Sequence, residues 1–290
     1  MNSTQYKNYQ FKQLCADIGY DPIKLKYIIE NIDDYYNEWF EKKKDKKTGG
    51  YKKYKDGTEK KRVIRPSLKE LKIVQKKIKN RILAPIKLPK HIHGGVRKRS
   101  NISNAKPHQG NKYQFTTDLQ NYYPGIKHTQ IFDTFLKLGY SNHYSNILTK
   151  LTSWKYELPQ GTPTSTHISN LVFLETDFKL IELCNKHNIV YTRYVDDLTF
   201  SSPKCFKHLL NEILQIVIDG GFKISYRKTN YDGNQNITGI DVYNNFIDAP
   251  EKIKQKVLEE NNKNSEFKPY TNYLNNIRKT NKRKPVANTV

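Results

Sequence analysis

The sequence has few cysteines and no long apolar run. Only three cysteines occur among 290 residues, and their spacing fits neither a disulfide framework nor a Cys-X-X-Cys zinc site. No segment approaches the roughly 18 consecutive apolar residues of a membrane span, and the first residues lack the apolar core of a signal peptide. These absences favour a reducing compartment, so we expect a cytoplasmic protein without a membrane partner.

Acidic residues are also scarce. There are 28 of them against 51 lysines and arginines, which gives a net charge of +23. A charge of this sign favours a polyanionic partner, because each phosphate that a cation neutralises releases condensed counterions. Solubility alone does not require so one-sided an excess. Nucleic acid is therefore the expected partner, with an anionic membrane surface as the alternative.

The sequence pattern in the first third of the chain predicts helices and a basic β-hairpin. Apolar spacing in residues 1–47 is typical of helices. The segment Lys42 to Lys61 is dense in lysine, and its Asp56-Gly57 pair predicts a β-hairpin, with a solvated loop as the alternative. A helix is expected from Pro66 to Ile82, with one basic face. Residues 91–108 have the composition of a long basic loop.

The rest of the chain predicts an α+β domain. Helices are expected at 131–138, 168–181, 209–217, 253–260 and 270–277, and strands at 113–119, 189–195, 198–201, 223–227 and 238–243. The order β-α-α-β-β-α-β indicates an antiparallel sheet with helices on one face.

Three carboxylates stand at the ends of these strands. Asp196 and Asp197 follow a strand directly, and adjacent residues can share a site only where the strand turns. Such a pair is costly without a cation, and Mg²⁺ prefers oxygen ligands. Asp118 ends another strand, so the three carboxylates could hold two metal ions about 4 Å apart for phosphoryl transfer. Taken alone, an Asp-Asp pair is more often an ordinary turn.

Three segments then carry a family resemblance. Tyr194-Val195-Asp196-Asp197 resembles the YxDD signature of reverse transcriptases. Residues 115–123, Phe-Thr-Thr-Asp-Leu-Gln-Asn-Tyr-Tyr, resemble the family's first metal-binding motif, and residues 158–165, Leu-Pro-Gln-Gly-Thr-Pro-Thr-Ser, are similar to its Gln-Gly motif. The resemblance implies an RNA-directed DNA polymerase with a right-hand α+β fold of fingers, palm and short helical thumb.

The resemblance also divides the chain. It places N-terminal helices and fingers in residues 1–110, with the basic hairpin near 42–65. The palm, an antiparallel sheet with helices, would occupy 111–245, and the thumb with a basic tail 246–290.

Motif positions imply the site residues. Asp118 and Asp196 would be the main ligands of two Mg²⁺ ions, or of Mn²⁺, with Asp197 and the Leu119 carbonyl in support. Tyr123 matches the aromatic gate that excludes a 2′-hydroxyl; a core tyrosine is the alternative.

Further motif positions imply nucleotide contacts. Gln160 and Gly161 would border the incoming nucleotide, unless they form only a loop before a helix. Lys228 matches a motif proposed to protonate pyrophosphate, although a surface lysine fits as well. Lys61 and Arg62 would bind the triphosphate of the incoming nucleotide.

Two further elements indicate a branch of the family. Asn104-Ala105-Lys106-Pro107-His108 resembles the NAxxH element of bacterial retron reverse transcriptases, and Ile237-Thr238-Gly239 their VTG element. The resemblance implies that Asn104, His108, Thr238 and Gly239 contact a structured non-coding RNA that serves as template and primer. Alternatively, Asn104 and His108 only brace a loop. Val195 stands where retron sequences commonly have alanine.

The implied partners are this RNA, an RNA/DNA hybrid, deoxynucleotides and an effector protein of anti-phage defence. The sequence length leaves no room for a ribonuclease H, integrase, maturase or endonuclease domain, which disfavours a viral or intron-encoded enzyme. Another defence-associated reverse transcriptase, self-primed, protein-primed or untemplated, is the alternative. A catalytically silent RNA-binding scaffold is a second alternative, but it would have little reason to hold three carboxylates in so basic a protein.

Overall fold

The computed structural model describes residues 3–44, 49–54, 56–233, 236–263 and 266–281. They form two compact units, each built from two segments of the chain. Unit 1 comprises Met1–Lys87 and Asn121–Val172, and unit 2 comprises Leu88–Gln120 and Phe173–Val290. The fingers, palm and thumb boundaries predicted at 110 and 245 follow chain order, whereas these units do not.

The helices of the described residues alternate with short strands. They are α1 (Ser3–Ile18), α2 (Pro22–Glu30), α3 (Lys69–Ile78), α4 (Asn101–Ala105), α5 (Tyr122–Gly125), α6 (His128–Lys137), α7 (Asn142–Thr152), α8 (Ser165–Val172), α9 (Leu174–Lys186), α10 (Leu210–Asp219), α11 (Glu251–Asn262) and α12 (Pro269–Lys279). A π turn, Lys79–Leu83, extends α3. Single 3-10 turns occur at Ile32–Tyr35, Lys106–His108, Lys207–Leu209 and Tyr226–Lys228.

The strands form three antiparallel sheets. They are β1 (Trp39–Lys42), β2 (Lys61–Ile64), β3 (Tyr113–Asp118), β4 (Val190–Tyr194), β5 (Asp197–Ser202), β6 (Asn230–Asp232), β7 (Asn236–Ile237), β8 (Ile240–Val242) and β9 (Ile247–Asp248). Unit 1 holds β1-β2, and unit 2 holds the sheets β4-β5-β3-β6 and β7-β8-β9. The α+β prediction is therefore confirmed.

Unit 1 is a helical body with a small hairpin. Helices α1, α3 and α7 pack together through fully buried leucines and isoleucines. Asp56-Gly57 forms the expected turn, because the Tyr54 amide donates to Thr58 O at 2.7 Å and Lys53 bridges to Glu59. The hairpin's lysine-dense residues 45–48 and 55 lie outside the described part of the chain.

The helical prediction for residues 1–47 is wrong after the first two helices. Phe40 lies in β1, which pairs with β2 in the register Phe40↔Val63. Its apolar spacing continues the helical pattern, but hydrogen bonds to a distant partner decide the conformation. Helix α7 was not predicted at all, and the helix expected over 168–181 is interrupted between α8 and α9, at Phe173.

Unit 2 is built on the four-stranded sheet. Phe115, Tyr191 and Phe200 lie within 3% exposure, and the Tyr191 and Phe200 rings stack at 4.7 Å. Helix α9 packs against β4. The strand predicted at 223–227 is wrong: that segment contains a 3-10 turn, and the edge strand β6 begins only at Asn230.

The predicted loop at 91–108 contains helix α4. Ser100 caps this helix, with its hydroxyl accepting from the Ser103 amide at 3.3 Å. Composition predicted a loop because polar and small residues also favour turns.

The C-terminal helices α11 and α12 confirm the two helices predicted there. With β7-β8-β9 and α4 they enclose a second core, which includes Ala105, Ile240, Ile247, Leu274 and Ile277. Arg278, at the end of α12, pairs with Asp248 at 3.1 Å. The basic tail from Lys282 onward lies outside the described residues. No helix among the described residues is long and apolar enough to cross a membrane.

Candidate active site

The sheet of unit 2 brings the three predicted acids to one end. Strands β3 and β5 pair antiparallel with Asp118 opposite Asp197, and Tyr194 of β4 also faces Asp197. The Leu119 amide donates to the Asp196 carbonyl at 2.9 Å, which ties the end of β3 to the turn between β4 and β5. Side chains 78 and 79 positions apart in the chain therefore come to one end of the sheet through strand register.

The turn that carries Asp196 is strained. Val195 has a φ of +60°, a conformation that costs a β-branched residue about 1–2 kcal/mol. Gly94 lies against it so closely that an added Cβ would stand 2.5 Å from Val195 N and from Val195 Cγ2. In a regular strand, adjacent side chains point to opposite faces of the sheet. The turn interrupts this alternation, which is the condition for Asp196 and Asp197 to share a site.

The acids perturb one another. Burial, together with the charges of Asp196 and Asp118, raises the pKa of Asp197 to about 7. Burial and the Asp118 charge also raise the pKa of Asp196. Lys228 opposes both shifts, and its Nζ lies 2.5 Å from Asp118 Oδ2. The site therefore combines three crowded carboxyl groups with one ammonium group.

This donor set fits a divalent cation chemically. All three side chains offer carboxylate oxygens, and added positive charge would favour the ionised forms of Asp196 and Asp197, which burial disfavours. Within the ranges described above, however, no three Asp, Glu, His or Cys side chains are arranged to hold a metal ion. The Lys228 ammonium forms an ion pair with the Asp118 carboxylate.

Of the predicted nucleotide contacts, Lys228 lies in unit 2 beside Asp118, and the others lie in unit 1. The Arg65 amide, just after β2, donates to Gln160 O at 2.8 Å. Gly161 has a φ of +109°, and an added Cβ would lie 3.4 Å from Ile64 Cγ2, so this position needs glycine. The structure thus joins the Gln-Gly segment to β2.

Two of the other unit 1 candidates, Arg62 and Tyr123, have side-chain partners. Exposed Arg62 pairs with Glu41 at 2.8 Å, and exposed Lys61 stands opposite Lys42 on the hairpin. Tyr123 is half-buried, with its hydroxyl 3.0 Å from Thr166 Oγ1.

Arg65 was missed by the sequence reasoning. Its guanidinium binds Glu38 at 2.5 Å and also Glu157, so it joins β2, the segment before β1 and the strand-like segment before Gln160. Its position among several basic residues gave no sign of this role.

The two retron-like elements meet in unit 2. Asn101 donates to Thr238 O at 3.1 Å, and Asn104 Nδ2 lies 3.4 Å from Thr238 Oγ1. Asn104 and His108 are both 0% exposed. Their buried side chains therefore brace the fold. Next to them lies a surface with half-buried Thr238 and exposed Gly239.

His108 connects this element to the catalytic strands. Its Nδ1 lies 2.7 Å from Ser201 Oγ in β5, and its Nε2 lies 2.8 Å from Thr192 Oγ1 in β4. Burial lowers its pKa to about 3, with a smaller effect of His93.

Comparisons with known proteins agree with this geometry. The family described as "Reverse transcriptase (RNA-dependent DNA polymerase)" matches residues 42–240. The retron Ec86 reverse transcriptase of Escherichia coli is 31% identical over 192 residues, covering 64% of this chain and 60% of the relative. The retron Se72 reverse transcriptase of Salmonella heidelberg (strain 579083-10) is also 31% identical, covering 66% of this chain and 48% of the relative. The matched region thus spans about half of these relatives.

A solved structure of telomerase from Candida albicans aligns with 62% of this chain and 38% of its own, at 10% identity and a TM-score of 0.43. A score of this size does not establish a common fold. The match of the family over residues 42–240 does not depend on it. The chain belongs to the reverse transcriptase family, and the curated relatives named above place it beside the retron enzymes.

Proposed function

We propose that this chain is an RNA-directed DNA polymerase of retron type. One observation carries the proposal: strand register sets Asp118 opposite Asp197, with Asp196 in the strained turn beside them. Reverse transcriptases use divalent metal ions, and the three carboxylates would hold two Mg²⁺ ions, or Mn²⁺, with the Leu119 carbonyl in support. Bound there, the metal ions supply charge stabilisation for the attacking hydroxyl and the leaving pyrophosphate.

The chain's own residues would position the reactants. Tyr123 would close the space that a 2′-hydroxyl needs, which selects deoxynucleotides. Gln160 and Gly161 would border the incoming nucleotide, and Lys61 with Arg62 would bind its triphosphate once Arg62 leaves Glu41. Lys228, with its ammonium beside Asp118, can hold a proton close to the leaving group.

The proposed template is a structured non-coding RNA that also primes synthesis. The net charge of +23 supports binding to this polyanion. We assign the RNA contact to the surface that Asn104 and His108 support, with Thr238 and Gly239 at its edge. The resemblance also implies an effector protein of anti-phage defence as a partner.

Primer extension tests the polymerase. The chain should extend a primer on an RNA template with Mg²⁺ and deoxynucleotides, and Asp196→Asn should abolish the product. Asp232→Asn is a matched control, because Asp232 pairs with Gln114 at the opposite end of the same sheet. Extension by Asp196→Asn at the unaltered rate would show that the metal assignment is wrong.

Co-purified nucleic acid tests the branch. Sequencing should recover one structured RNA joined to the DNA copied from it. Recovery of protein without RNA that makes untemplated polymer would instead indicate another defence-associated reverse transcriptase. Full RNA binding without synthesis under Mg²⁺ or Mn²⁺ would indicate a scaffold.

A further inference from the structure

Arg193 is a fully buried charge close to the catalytic turn. It lies in β4, three residues before Asp196, and its side chain and that of Asp177 in α9 are both 0% exposed. A buried arginine persists only when its charge is paired and its donors are bonded. Arg193 carries a signal at the level of the sequence, because a charged residue inside an apolar strand needs a buried partner.

Asp177 fixes the guanidinium in one orientation. Arg193 Nε lies 3.0 Å from Asp177 Oδ1, and Nη2 lies 2.6 Å from Oδ2, which is a bidentate pair. Tyr191 Oη donates to the same carboxylate at 2.7 Å. Phe173 lies under the guanidinium, with its ring centroid 4.7 Å from Cζ.

The remaining arm of the guanidinium reaches the turn. Arg193 Nη1 donates to the Val195 carbonyl at 3.0 Å. That carbonyl belongs to the peptide group from which Asp196 begins, and Val195 holds the positive φ. Main-chain bonds to His91 O and from the His93 amide, both 2.8 Å, fix the Arg193 backbone as well. The orientation of the Asp196 peptide is therefore coupled to a buried ion pair.

We propose that Arg193, oriented by Asp177, is a positioning residue that holds the strained Val195 turn and thereby sets the Asp196 carboxylate for divalent-metal binding and nucleotidyl transfer. This inference rests on the proposed polymerase function. A purely stabilising ion pair would need only the bonds between Arg193 and Asp177. Here the bond from Nη1 to the Val195 carbonyl has a second role, which is to hold the turn before Asp196.

Arg193→Lys separates the two tasks. Lysine keeps the charge beside Asp177, but a single ammonium cannot form the bidentate pair and also bond the Val195 carbonyl. Misplacement of a reacting group by about 1 Å costs on the order of 10²-fold in rate. We expect kcat to fall by about that factor, and Mn²⁺ affinity to fall about tenfold, while RNA affinity is retained.

Tyr191→Phe is the matched control. It removes a hydrogen bond to the same buried carboxylate but none to the turn. We expect a lower Tm, with kcat and Mn²⁺ affinity within about twofold of the parent protein. Equal losses of Mn²⁺ affinity in both variants would show that the ion pair only stabilises the fold, and would overturn the inference.

A rescue variant tests the link to the turn. Glycine adopts a positive φ without strain, so Val195→Gly in the Arg193→Lys background should recover Mn²⁺ affinity at least threefold. Absence of recovery would overturn the role of the turn. Mn²⁺ binding is read as the rise in Tm with Mn²⁺ concentration, which depends on the affinity of the folded state for the ion. Each variant is compared with its own metal-free Tm, so a lower starting stability of Arg193→Lys does not obscure the result.

The outcomes separate this inference from the proposed function. If the full chain makes no DNA but binds Mn²⁺, and Arg193→Lys weakens that binding, the positioning role stands and the polymerase assignment falls. If the chain makes DNA and Arg193→Lys matches its kcat and Mn²⁺ affinity within about twofold, the positioning role falls and the polymerase stands.

Discussion

Acid should destabilise this protein through His108. The ring is 0% exposed and bonded to Thr192 in β4 and Ser201 in β5, so it is neutral in the folded chain. Its pKa falls from the ordinary 6.5 to about 3 on folding. Between those values the unfolded chain binds the extra proton, so stability is complete above pH 6.5 and is lost as pH falls towards 3.

The size of the effect follows from linkage. One pKa unit corresponds to about 1.4 kcal/mol, so His108 should cost about 2 kcal/mol of unfolding free energy between pH 7.5 and pH 5. The figure changes little if the folded pKa is one unit higher, because the folded state stays neutral at pH 5. His93, whose pKa burial lowers to about 4, adds a similar loss.

Urea unfolding at the two pH values measures this loss, and His108→Gln isolates it. Glutamine does not titrate, so the variant's difference between pH 7.5 and pH 5 should be smaller than the parent's by about 2 kcal/mol. The contributions of His93 and of the carboxylates to the pH dependence cancel in this comparison, because both proteins contain these groups. His187→Gln, at an exposed position, should keep the parent's difference. If His108→Gln also kept it, His108 would not be buried and neutral as the structure indicates.

Three further changes test the site. Gly94→Ala should lower kcat at least about tenfold, because the added Cβ would stand 2.5 Å from Val195 N. Gly233→Ala is the control and should keep the parent's kcat, because its added Cβ would have no contact closer than 3.5 Å. Equal kcat values for Gly94→Ala and the parent protein would refute the close packing at Val195. Lys228→Met should move the acidic limb of the kcat/KM profile to higher pH, because the Lys228 charge lowers the pKa of Asp197; an unmoved limb would refute that coupling. Tyr123→Val should reduce the preference for deoxynucleotides over ribonucleotides, measured as a ratio of kcat/KM, about tenfold or more; an unchanged ratio would mean that Tyr123 is only a core residue.

The elements that the sequence predicted well have strong local patterns. Strands β3 and β4 and helices α10, α11 and α12 follow alternating or helical apolar spacing, which a folded core reinforces. The wrong predictions concern residues whose conformation depends on a partner. Phe40 fits a helical pattern until β2 pairs with it, and the segment 223–227 has β-prone residues but bonds at Ile224 to Leu119 by a single bridge.

The site shows the same division. Asp118, Asp196 and Asp197 were predicted as site residues because they stand at or just after the ends of predicted strands, and the antiparallel register sets Asp118 opposite Asp197. Asn104 and His108 were predicted from a motif resemblance, but their burial was not, because the sequence does not show which side chains of α4 and of the 3-10 turn after it pack into the fold.

The sequence by itself determined the chemistry that this chain can hold: the acids at strand ends, the glycine of the Gln-Gly segment and the excess of basic charge. Those follow from residue types and local periodicity. Only the tertiary structure decided that Lys228 lies against Asp118 and that Arg193, paired with Asp177, bonds the carbonyl before Asp196. Lys228 and Asp118 are 110 positions apart, and Arg193 and Asp177 lie on different elements, so no local pattern in the sequence places either pair. The energy of a buried charge depends on the partners that folding brings to it.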